Sequence, residues 1–184
     1  MQNLEIKTRY PNHRRAARLA IDQVDAVYSG QLVQTDTYYH VAAGRLKMRH
    51  ERLHSLLSSS WDEERFELIH YHRVNERAAR ASHYEVLPVY DGAKTLRFLS
   101  AALGVKVRID KARDLYLKDN LRIHLDRVRG LGRFLEFELI VSRANPLSQC
   151  RKRMHELVAL FGITAGDLVA CSYSDLLLDR ARGS

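Results

Sequence analysis

Hydrophobic and polar residues alternate along several stretches of this chain, as they do in β-strands with one buried face, and other stretches are rich in Thr, Tyr and Val. The first stretch places Leu4 and Ile6 on one side and Glu5 and Lys7 on the other. Turn-forming residues such as Gly130 lie between stretches. The pattern predicts strands over about residues 2–10, 33–41, 44–53, 64–74, 82–89, 105–117, 120–128 and 132–142.

Four other segments have the apolar spacing of amphipathic helices. In the second of them, Asp91 can cap the first turn and Gly104 can end the last. The spacing predicts helices over about residues 13–27, 93–103, 145–161 and 172–178. No internal repeat, low-complexity tract or linker interrupts the pattern. We therefore expect a single domain over residues 1–184, of the α+β class, in which antiparallel strands dominate.

The polar faces of several predicted strands are charged at every other position, whereas the opposite faces are apolar. Those apolar faces need cover, and the amphipathic helices can supply it from outside. Eight strands can close into a barrel, which leaves no exposed edge and turns the charged faces inward. We expect this closed eight-stranded antiparallel β-barrel with helices packed outside. The alternative, a solvated sheet face with cross-strand ion pairs, stays open at this point.

A barrel interior lined with charges favours a charged ligand, because buried ions without partners lose solvation worth several kcal/mol each. Lys and Arg suit the oxygens of a polyanion, and Arg can bind phosphate bidentately. Glu and Asp suit Mg²⁺ or Mn²⁺ instead. The predicted inward-facing set includes Glu5, Lys7, Lys47, Arg49, Glu51, Lys111, Arg113, Arg122, His124, Asp126, Glu136 and Glu138.

Composition narrows the classes of partner. The formal net charge of +8 favours an anionic one. No stretch approaches the roughly 20 apolar residues of a membrane span, and the charged opening segment is unlike a secretory signal. The cysteines, Cys150 and Cys171, fit no metal or redox spacing. We expect a cytoplasmic protein, a monomer or homodimer, that binds neither membranes nor nucleic acid.

An ordered set of motifs over nearly the whole chain resembles the CYTH superfamily. This superfamily contains class IV adenylyl cyclases and thiamine triphosphatases, also called triphosphate tunnel metalloenzymes. The motifs that carry the resemblance are Glu5-x-Lys7, Asp36-x-Tyr38, Gly44 to Arg49, Tyr71-x-Arg73, Lys111-x-Arg113, Arg122 to Asp126, Gly130 to Gly132, Glu136-x-Glu138 and Ser172 to Leu177.

The resemblance implies a tunnel that takes up a triphosphate together with Mg²⁺ or Mn²⁺. It implies phosphate-binding roles for Lys7, Lys47, Arg49, Arg73, Lys111, Arg113 and Arg122. It implies that Glu5, Asp126, Glu136 and Glu138 hold the metal or the attacking water. We expect Glu5, Lys7, Lys111 and Arg113 to be the residues that act most directly in catalysis.

The resemblance implies an enzyme, and we expect a phosphohydrolase of inorganic, nucleoside or thiamine triphosphate. The alternative is a class IV adenylyl cyclase that forms cyclic AMP and pyrophosphate from ATP. A further alternative is a weakly catalytic module that binds polyphosphate, a nucleotide or RNA. One departure bears on this last alternative, since Asn3 stands where the family signature Glu-x-Glu-x-Lys has its first Glu.

Overall fold

A computed structural model of the chain describes residues 2–54, 63–72 and 80–183. Its strands are β1 (Gln2–Arg9), β2 (Val27–Tyr39), β3 (Arg45–His54), β4 (Glu63–His72), β5 (Arg80–Val89), β6 (Val105–Lys118), β7 (Leu121–Val128) and β8 (Gly132–Ile140). Its helices are α1 (His13–Asp22), α2 (Gly92–Leu103), α3 (Leu147–Leu160) and α4 (Tyr173–Arg182).

The eight strands form one antiparallel sheet in the order β1-β5-β4-β3-β2-β6-β7-β8. Strand β1 pairs with β5 over four residues and with β8 over seven, from Asn3–Ile140 to Arg9–Phe134. The long central strands β2 and β6 pair almost from end to end. The predicted α+β class, with eight antiparallel strands, is confirmed.

The junction between the first helix and the second strand differs from the prediction. Helix α1 ends at Asp22, not at residue 27, and β2 begins at Val27, not at residue 33. The reason is a tight turn in which Asp25 has a φ of 58° and the Ala26 amide donates to the Ala20 carbonyl. The turn leaves Val27 70% exposed, so this residue does not belong to the apolar stripe predicted for the helix.

The main core lies between the outer faces of three strands and two helices. Apolar residues of β1, β7 and β8 pack there against α1 and α3, including Leu4, Ile6, Ile123, Leu125, Leu135, Phe137, Ala16, Ala20, Met154 and Leu157. Because successive side chains of a strand point to opposite faces, this burial turns the charged faces of the same strands to the inner side of the sheet. Helix α2 covers less than predicted, since Leu96, Leu99 and Leu103 are only half-buried and Phe98 is 70% exposed.

A second apolar cluster lies at one end of the sheet's inner side. Tyr173, the first residue of α4, packs there with Tyr38, Ile109, Val128 and Phe134. The start of α4 is held by a capping box, in which the Ser172 hydroxyl accepts from the Asp175 amide and the Asp175 carboxylate accepts from the Ser172 amide. The cluster therefore separates this end of the inner space from solvent. None of the helices in the described ranges is long and apolar enough to cross a membrane.

Candidate functional site

The inner face of the sheet encloses a cavity of about 540 Å³. Among the described residues, its lining includes seven cationic and six anionic side chains. The cations are Lys7, Lys47, Arg49, Arg65, Lys111, Arg113 and Arg122, and the anions are Glu5, Asp36, Glu51, Glu67, Glu136 and Glu138. The charges come from β1, β2, β3, β4, β6, β7 and β8, so the strand alternation is what brings them together.

Asp36 of β2 is buried at the centre of a group of three cations. Its carboxylate accepts two hydrogen bonds from the Arg49 guanidinium, at 2.8 and 2.9 Å, and one from Lys47 Nζ at 3.0 Å. Lys111 Nζ lies 3.8 Å from the same carboxylate. Burial alone would raise the pKa of Asp36, but Arg49, Lys47 and Lys111 hold it well below its usual range. One ionised carboxylate thus faces three cations.

The two lysines of this group bind their protons weakly. Burial, with repulsion from Arg49, lowers the pKa of Lys47 to about 7 in spite of the attraction of Asp36. Burial and repulsion from Arg113 lower the pKa of Lys111 to about 8. A polyanion entering the cavity would favour the charged form of both lysines, because it adds the negative charge that Asp36 alone does not supply.

Arg113 of β6 is held by two carboxylates and points into the same cavity. Its guanidinium donates to both oxygens of Asp126, at 2.6 Å each, and to Glu136 Oε2 at 2.6 Å. The Tyr173 hydroxyl donates to Asp126 at 2.8 Å. Burial and the nearby Asp126 raise the pKa of Tyr173 well above its ordinary value, which keeps this donor protonated. Asp126 is completely buried, so it fixes Arg113 from behind.

The wall formed by β1 and β8 carries an anionic group. Glu5 and Glu138 are register partners across the two strands, and Lys7 and Glu136 are the next such pair, with 3.0 Å between Lys7 Nζ and Glu136 Oε1. Asn3 is 4% exposed and its amide nitrogen donates to Glu138. Its oxygen, Oδ1, is buried and has no hydrogen-bond partner within the described part of the chain.

His124 of β7 lies between the carboxylates of this wall. Its Nδ1 is 3.6 Å from Glu136 Oε2, and its Nε2 is 3.8 Å from Glu138 Oε2. Burial and the nearby Arg113 lower the pKa of His124, although Glu136 and Glu138 oppose the change. The imidazole is therefore neutral near pH 7 and leaves the carboxylates their negative charge.

Comparison of this chain with known protein families gives a match over most of its length. The CYTH domain family matches residues 1–173. The chain belongs to the CYTH family. A Methanocaldococcus jannaschii protein named "putative adenylate cyclase" is 32% identical over 68 residues, which is 37% of this chain and 39% of that protein. The matched segment thus spans well under half of the relative.

Solved structures share the CYTH fold over most of their length. Two Pyrococcus horikoshii proteins superimpose with TM-scores of 0.75 and 0.76 at 20% and 19% identity, covering 95% and 97% of this chain and 98% and 99% of theirs. A Hippeastrum protein, described as a "putative adenylyl cyclase" with a dominant triphosphatase activity, has a TM-score of 0.58 at 15% identity. It covers 98% of this chain, and the chain covers 96% of it. At these identities the likeness shows the fold.

The CYTH chain brings together most of the residues singled out from its sequence. Of the eleven residues predicted to bind phosphate or metal, nine line the same cavity, namely Glu5, Lys7, Lys47, Arg49, Lys111, Arg113, Arg122, Glu136 and Glu138. Asp126 is not in the described lining, since it is completely buried and accepts from Arg113, which does line the cavity. Arg73 lies outside the described residues. The chemical role of each residue stays a prediction.

Three features of the site were not predicted. In the sequence, Asp36 was recognised only as part of a motif. Its role as a counter-ion shared by three cations depends on how deeply its carboxylate lies within the sheet, and the alternation of residues does not show that depth. Tyr173 was likewise recognised only as part of a motif, and its hydroxyl reaches the site from α4. Arg65 of β4 pairs with Glu51, and the Gln34 amide donates to the same carboxylate. The alternation of β4 could have revealed Arg65, because Arg65, Glu67 and Ile69 share one face.

The donor atoms of the β1–β8 wall fit a hard divalent cation, although not in the way expected. Within the described ranges, no group of three or more His, Cys, Asp or Glu side chains is placed to hold a metal ion, so the expected set of four carboxylates does not converge. Asp126 and Glu136 are occupied by Arg113. Glu5 and Glu138 are register partners across β1 and β8, and with the unsatisfied oxygen of Asn3 they bring oxygen donors together on one wall. Mg²⁺ is often held by one or two carboxylates, with water and substrate phosphate completing its shell.

Proposed function

We propose that this chain is a divalent-metal-dependent phosphohydrolase that releases the terminal phosphoryl group of a triphosphate. One observation carries the proposal: the buried Lys47, Lys111 and Arg113 and the half-buried Arg49 converge on a single cavity whose other wall carries Glu5 and Glu138. Four cations within one cavity suit several linked phosphates, and a carboxylate pair suits a cation and water. Membership of the CYTH family, which includes triphosphatases and adenylyl cyclases, supports the same class of substrate.

The cavity acts in this proposal as a closed tunnel. The seven residue pairs between β1 and β8 join the two ends of the strand order, and the cluster around Tyr173 closes one end of the interior. A triphosphate would then enter from the opposite end. Water would be excluded from the phosphates except where the Glu5 and Glu138 wall binds it, which strengthens every charge interaction inside.

Transfer of a phosphoryl group requires positioning and neutralisation more than covalent help. Arg49 and Arg113, each already held in place by a carboxylate, would donate to phosphate oxygens without reorganising. Lys7, Lys47, Lys111 and Arg122 would add positive charge around the chain of phosphates. Glu5 or Glu138 would accept a hydrogen bond from the attacking water and orient it toward the phosphorus. Mg²⁺ or Mn²⁺, when bound by Glu5, Glu138 and Asn3, supplies Lewis-acid neutralisation of the phosphate oxygens.

A second activity, cyclisation of ATP, has one observation in its favour, which is the name of the Methanocaldococcus relative. In that reaction the ribose 3′-oxygen attacks the α-phosphorus and pyrophosphate leaves. The same cations would hold the phosphates, so the products distinguish the two activities better than any residue does.

A substrate panel tests the proposal. The protein is incubated with inorganic triphosphate, thiamine triphosphate, ATP or GTP, each with Mg²⁺ or Mn²⁺, and phosphate, pyrophosphate and cyclic AMP are measured separately. We expect phosphate release that a chelator abolishes and that the Lys111→Ala variant strongly reduces. Equimolar pyrophosphate and cyclic AMP from ATP would establish the cyclase instead. Tight binding of triphosphates without any product would show instead that the protein is a binding module without this activity.

A further inference from the structure

The outer faces of β7 and β8 change from apolar to cationic within one step along each strand. Leu125 and Leu135 are register partners that belong to the main core, and Arg127 and Arg133 are the next pair on the same face. Like charges that lie directly opposite each other on neighbouring strands repel and destabilise a sheet. This arrangement becomes favourable when an anion lies against both arginines.

The two arginines are held in place from different sides. Arg127 Nη1 donates to Asp114 Oδ2 at 3.1 Å, and Arg133 Nη1 donates to the Pro11 carbonyl at 3.2 Å. Within the described ranges, Arg133 has no carboxylate partner. The protein therefore keeps two cations next to each other on the outside of the sheet, with less negative charge than they can take up.

Arg127 and Arg133 line a cavity of about 590 Å³ together with the start of helix α1. The full lining is Pro11, Asn12, His13, Arg14, Arg127 and Arg133, and no carboxylate of the described residues belongs to it. The N-terminus of an α-helix carries a partial positive charge, so the helix adds to the field of the arginines. This cavity is called the outer cavity below, and the one on the inner face of the sheet the inner cavity.

His13 gives an independent indication that the outer cavity takes an anion. The side chain is 9% exposed, and its Nε2 lies 3.0 Å from the Phe134 carbonyl, so that nitrogen carries the proton. The other ring nitrogen, Nδ1, is buried and has no hydrogen-bond partner in the part of the chain that the structure describes. Burial lowers the pKa of His13, and the charges of Arg133 and Arg127 lower it further against the opposing effects of the Phe134 carbonyl and Asp114. The free protein thus leaves Nδ1 without a proton.

We propose that the outer cavity is a second anion site, which binds one phosphate group against Arg127, Arg133 and the N-terminus of α1. Neighbouring guanidinium groups suit the oxygens of a tetrahedral oxyanion, and helix N-termini are common phosphate sites. The bound charge removes the repulsion between the arginines and favours protonation of His13. The site lies on the opposite side of the sheet from the inner cavity and does not depend on the proposed function.

The surroundings limit the ligand to a single phosphate group. A neighbouring cavity shares Arg127 and Arg133 with the outer cavity and also contains Arg129, but Asp110 belongs to its lining. The carboxylate of Asp110 would repel a second phosphate placed there. A free phosphate ion and the phosphate group of a larger molecule share the chemistry that the outer cavity recognises.

An NMR titration of the His13 ring, assigned in the isotope-labelled parent protein, tests the proposal. Sulfate is the probe, because it keeps its charge over the pH range in which histidine titrates. We expect saturating sulfate to raise the pKa of His13, and sulfate affinity to be severalfold higher at about pH 5 than at about pH 8. A pKa of His13 that is the same with and without sulfate would overturn the proposal, and this measurement requires no variant.

Arg127→Gln and Arg133→Gln should each weaken sulfate binding by about tenfold or more, since each removes charge-assisted hydrogen bonds. Both should also raise the pKa of His13 in the absence of sulfate, because each removes a repelling cation. Arg151→Gln is the matched control, since it removes an exposed arginine of α3 that does not line the outer cavity. It should keep the sulfate affinity of the parent. An equal loss in all three variants would show a general attraction by the net charge and contradict a built site.

Lys111→Ala separates the two cavities. This variant removes a cation of the inner cavity and should leave the response of His13 to sulfate unchanged. Loss of that response would place the anion in the inner cavity and overturn the proposal.

Titrations with inorganic phosphate and with glycerol 3-phosphate distinguish the sources of the phosphate group. Tighter binding of inorganic phosphate assigns the free ion, and equal or tighter binding of the monoester assigns a phosphate group carried by a larger molecule. Either order supports the site, whereas a His13 signal that responds to neither compound would reject it.

Discussion

Asp36 lies fully buried between three cationic side chains from two neighbouring strands. Two of them, Lys47 and Arg49, donate hydrogen bonds directly to it, and Lys111 completes the group from β6. A cluster of three cations would otherwise repel itself in a space with little water. Asp36 therefore allows these cationic side chains to be assembled in the free protein, while leaving them short of negative charge.

Removing this carboxylate should destabilise the free protein. Asp36→Asn leaves Lys47, Arg49 and Lys111 without their shared counter-ion, and breaking such a buried pair costs about 3–5 kcal/mol. We expect a lower free energy of unfolding in urea, and a large part of the loss should be recovered with inorganic triphosphate. Asp114→Asn is the control, since its partner Arg127 is exposed and such pairs contribute about 0–1 kcal/mol. Equal losses in the two variants would contradict the role of Asp36.

Cations and carboxylates of the cavity should respond differently to truncation. Lys111→Ala removes a charge that lies 3.8 Å from the Asp36 carboxylate, which keeps two other cations as partners. We expect metal-free binding of inorganic triphosphate to weaken by about 1.5–3 kcal/mol. Glu138→Ala should leave that binding equal or stronger, because it removes a repulsive charge, and should abolish metal-dependent turnover. Titration calorimetry without metal measures the difference. If Glu138→Ala weakened metal-free binding as much as Lys111→Ala, the assigned roles would be wrong.

Alternation along a strand predicts the face on which a side chain lies, but not its depth. It correctly placed Glu5, Lys7, Glu136 and Glu138 on the inner face, because their apolar neighbours needed a core. It placed Asp126 there too, but it could not show that this carboxylate would be completely buried and bonded to Arg113. Depth depends on how side chains of neighbouring strands pair across the register, and one sequence does not contain that pairing.

At the scale of elements, the paired strands β1 and β8 carry the carboxylate wall. Asn3 forms part of it, since its amide nitrogen donates to Glu138 and its oxygen is buried without a partner in the described residues. A solvent-facing position at the rim, which would make Asn3 irrelevant to the site, does not agree with an exposure of 4%.

A carboxylate at this position should strengthen metal binding. Asn3→Glu adds a negative charge beside Glu138 and replaces a hydrogen-bond donor by a repelling group. We expect half-maximal turnover at a lower Mg²⁺ or Mn²⁺ concentration, and a free protein that is less stable until metal is added. Asn3→Gln, of the same length without the charge, is the control. Metal titrations of turnover and of thermal unfolding that superimpose for the two variants would remove Asn3 from the metal site.

Helix α4 contributes its first residue, Tyr173, to the site. Tyr173 closes one end of the interior and donates to Asp126, which in turn holds Arg113. Tyr173→Phe should cost about 1–3 kcal/mol of stability, because it removes a donor from a buried carboxylate. It should also weaken triphosphate binding. Tyr10→Phe is the matched control, because that hydroxyl donates to the Phe161 carbonyl, outside the described cavity lining. Denaturant unfolding measures the stability of both variants, and calorimetry measures their affinity for triphosphate. If Tyr173 has a positioning role, Tyr173→Phe should lower that affinity and Tyr10→Phe should leave it unchanged.

At the scale of the whole molecule, the number and direction of the strands could be predicted, but the ends of the elements could not. The strands were visible because the charged inner face makes their alternation unusually regular. The boundary between α1 and β2 was misplaced, because Val24 fits a helical stripe although it is buried by the turn at Asp25. Helix α2 has a clear apolar stripe, yet most residues of that stripe stay half-buried. The spacing of apolar residues predicts a face that can pack, but it does not predict which element covers that face.

The folded protein and its complex should depend on pH in opposite directions. In the folded state the pKa of Lys47 is about 7 and that of Lys111 about 8, both below the value of roughly 10.4 for an unfolded chain. Between these values the unfolded chain binds more protons than the folded one. The free energy of unfolding of the ligand-free protein should therefore rise, through these two lysines, as pH increases from about 7 to 10.

Triphosphate binding should weaken over the same range, because the charged forms of Lys47 and Lys111 hold phosphate best. Above each lysine's pKa, the affinity should fall by up to about tenfold per pH unit for that lysine. Lys47→Arg is the control for changes in the protonation of the triphosphate itself. Its arginine stays charged over this pH range, because the pKa of arginine is far higher. Its affinity should fall less steeply between pH 7 and 8, where Lys47 of the parent loses its proton and Lys111 is still largely charged. Parallel affinity profiles for parent and variant, measured by calorimetry without metal, would show that the proton on Lys47 does not govern binding.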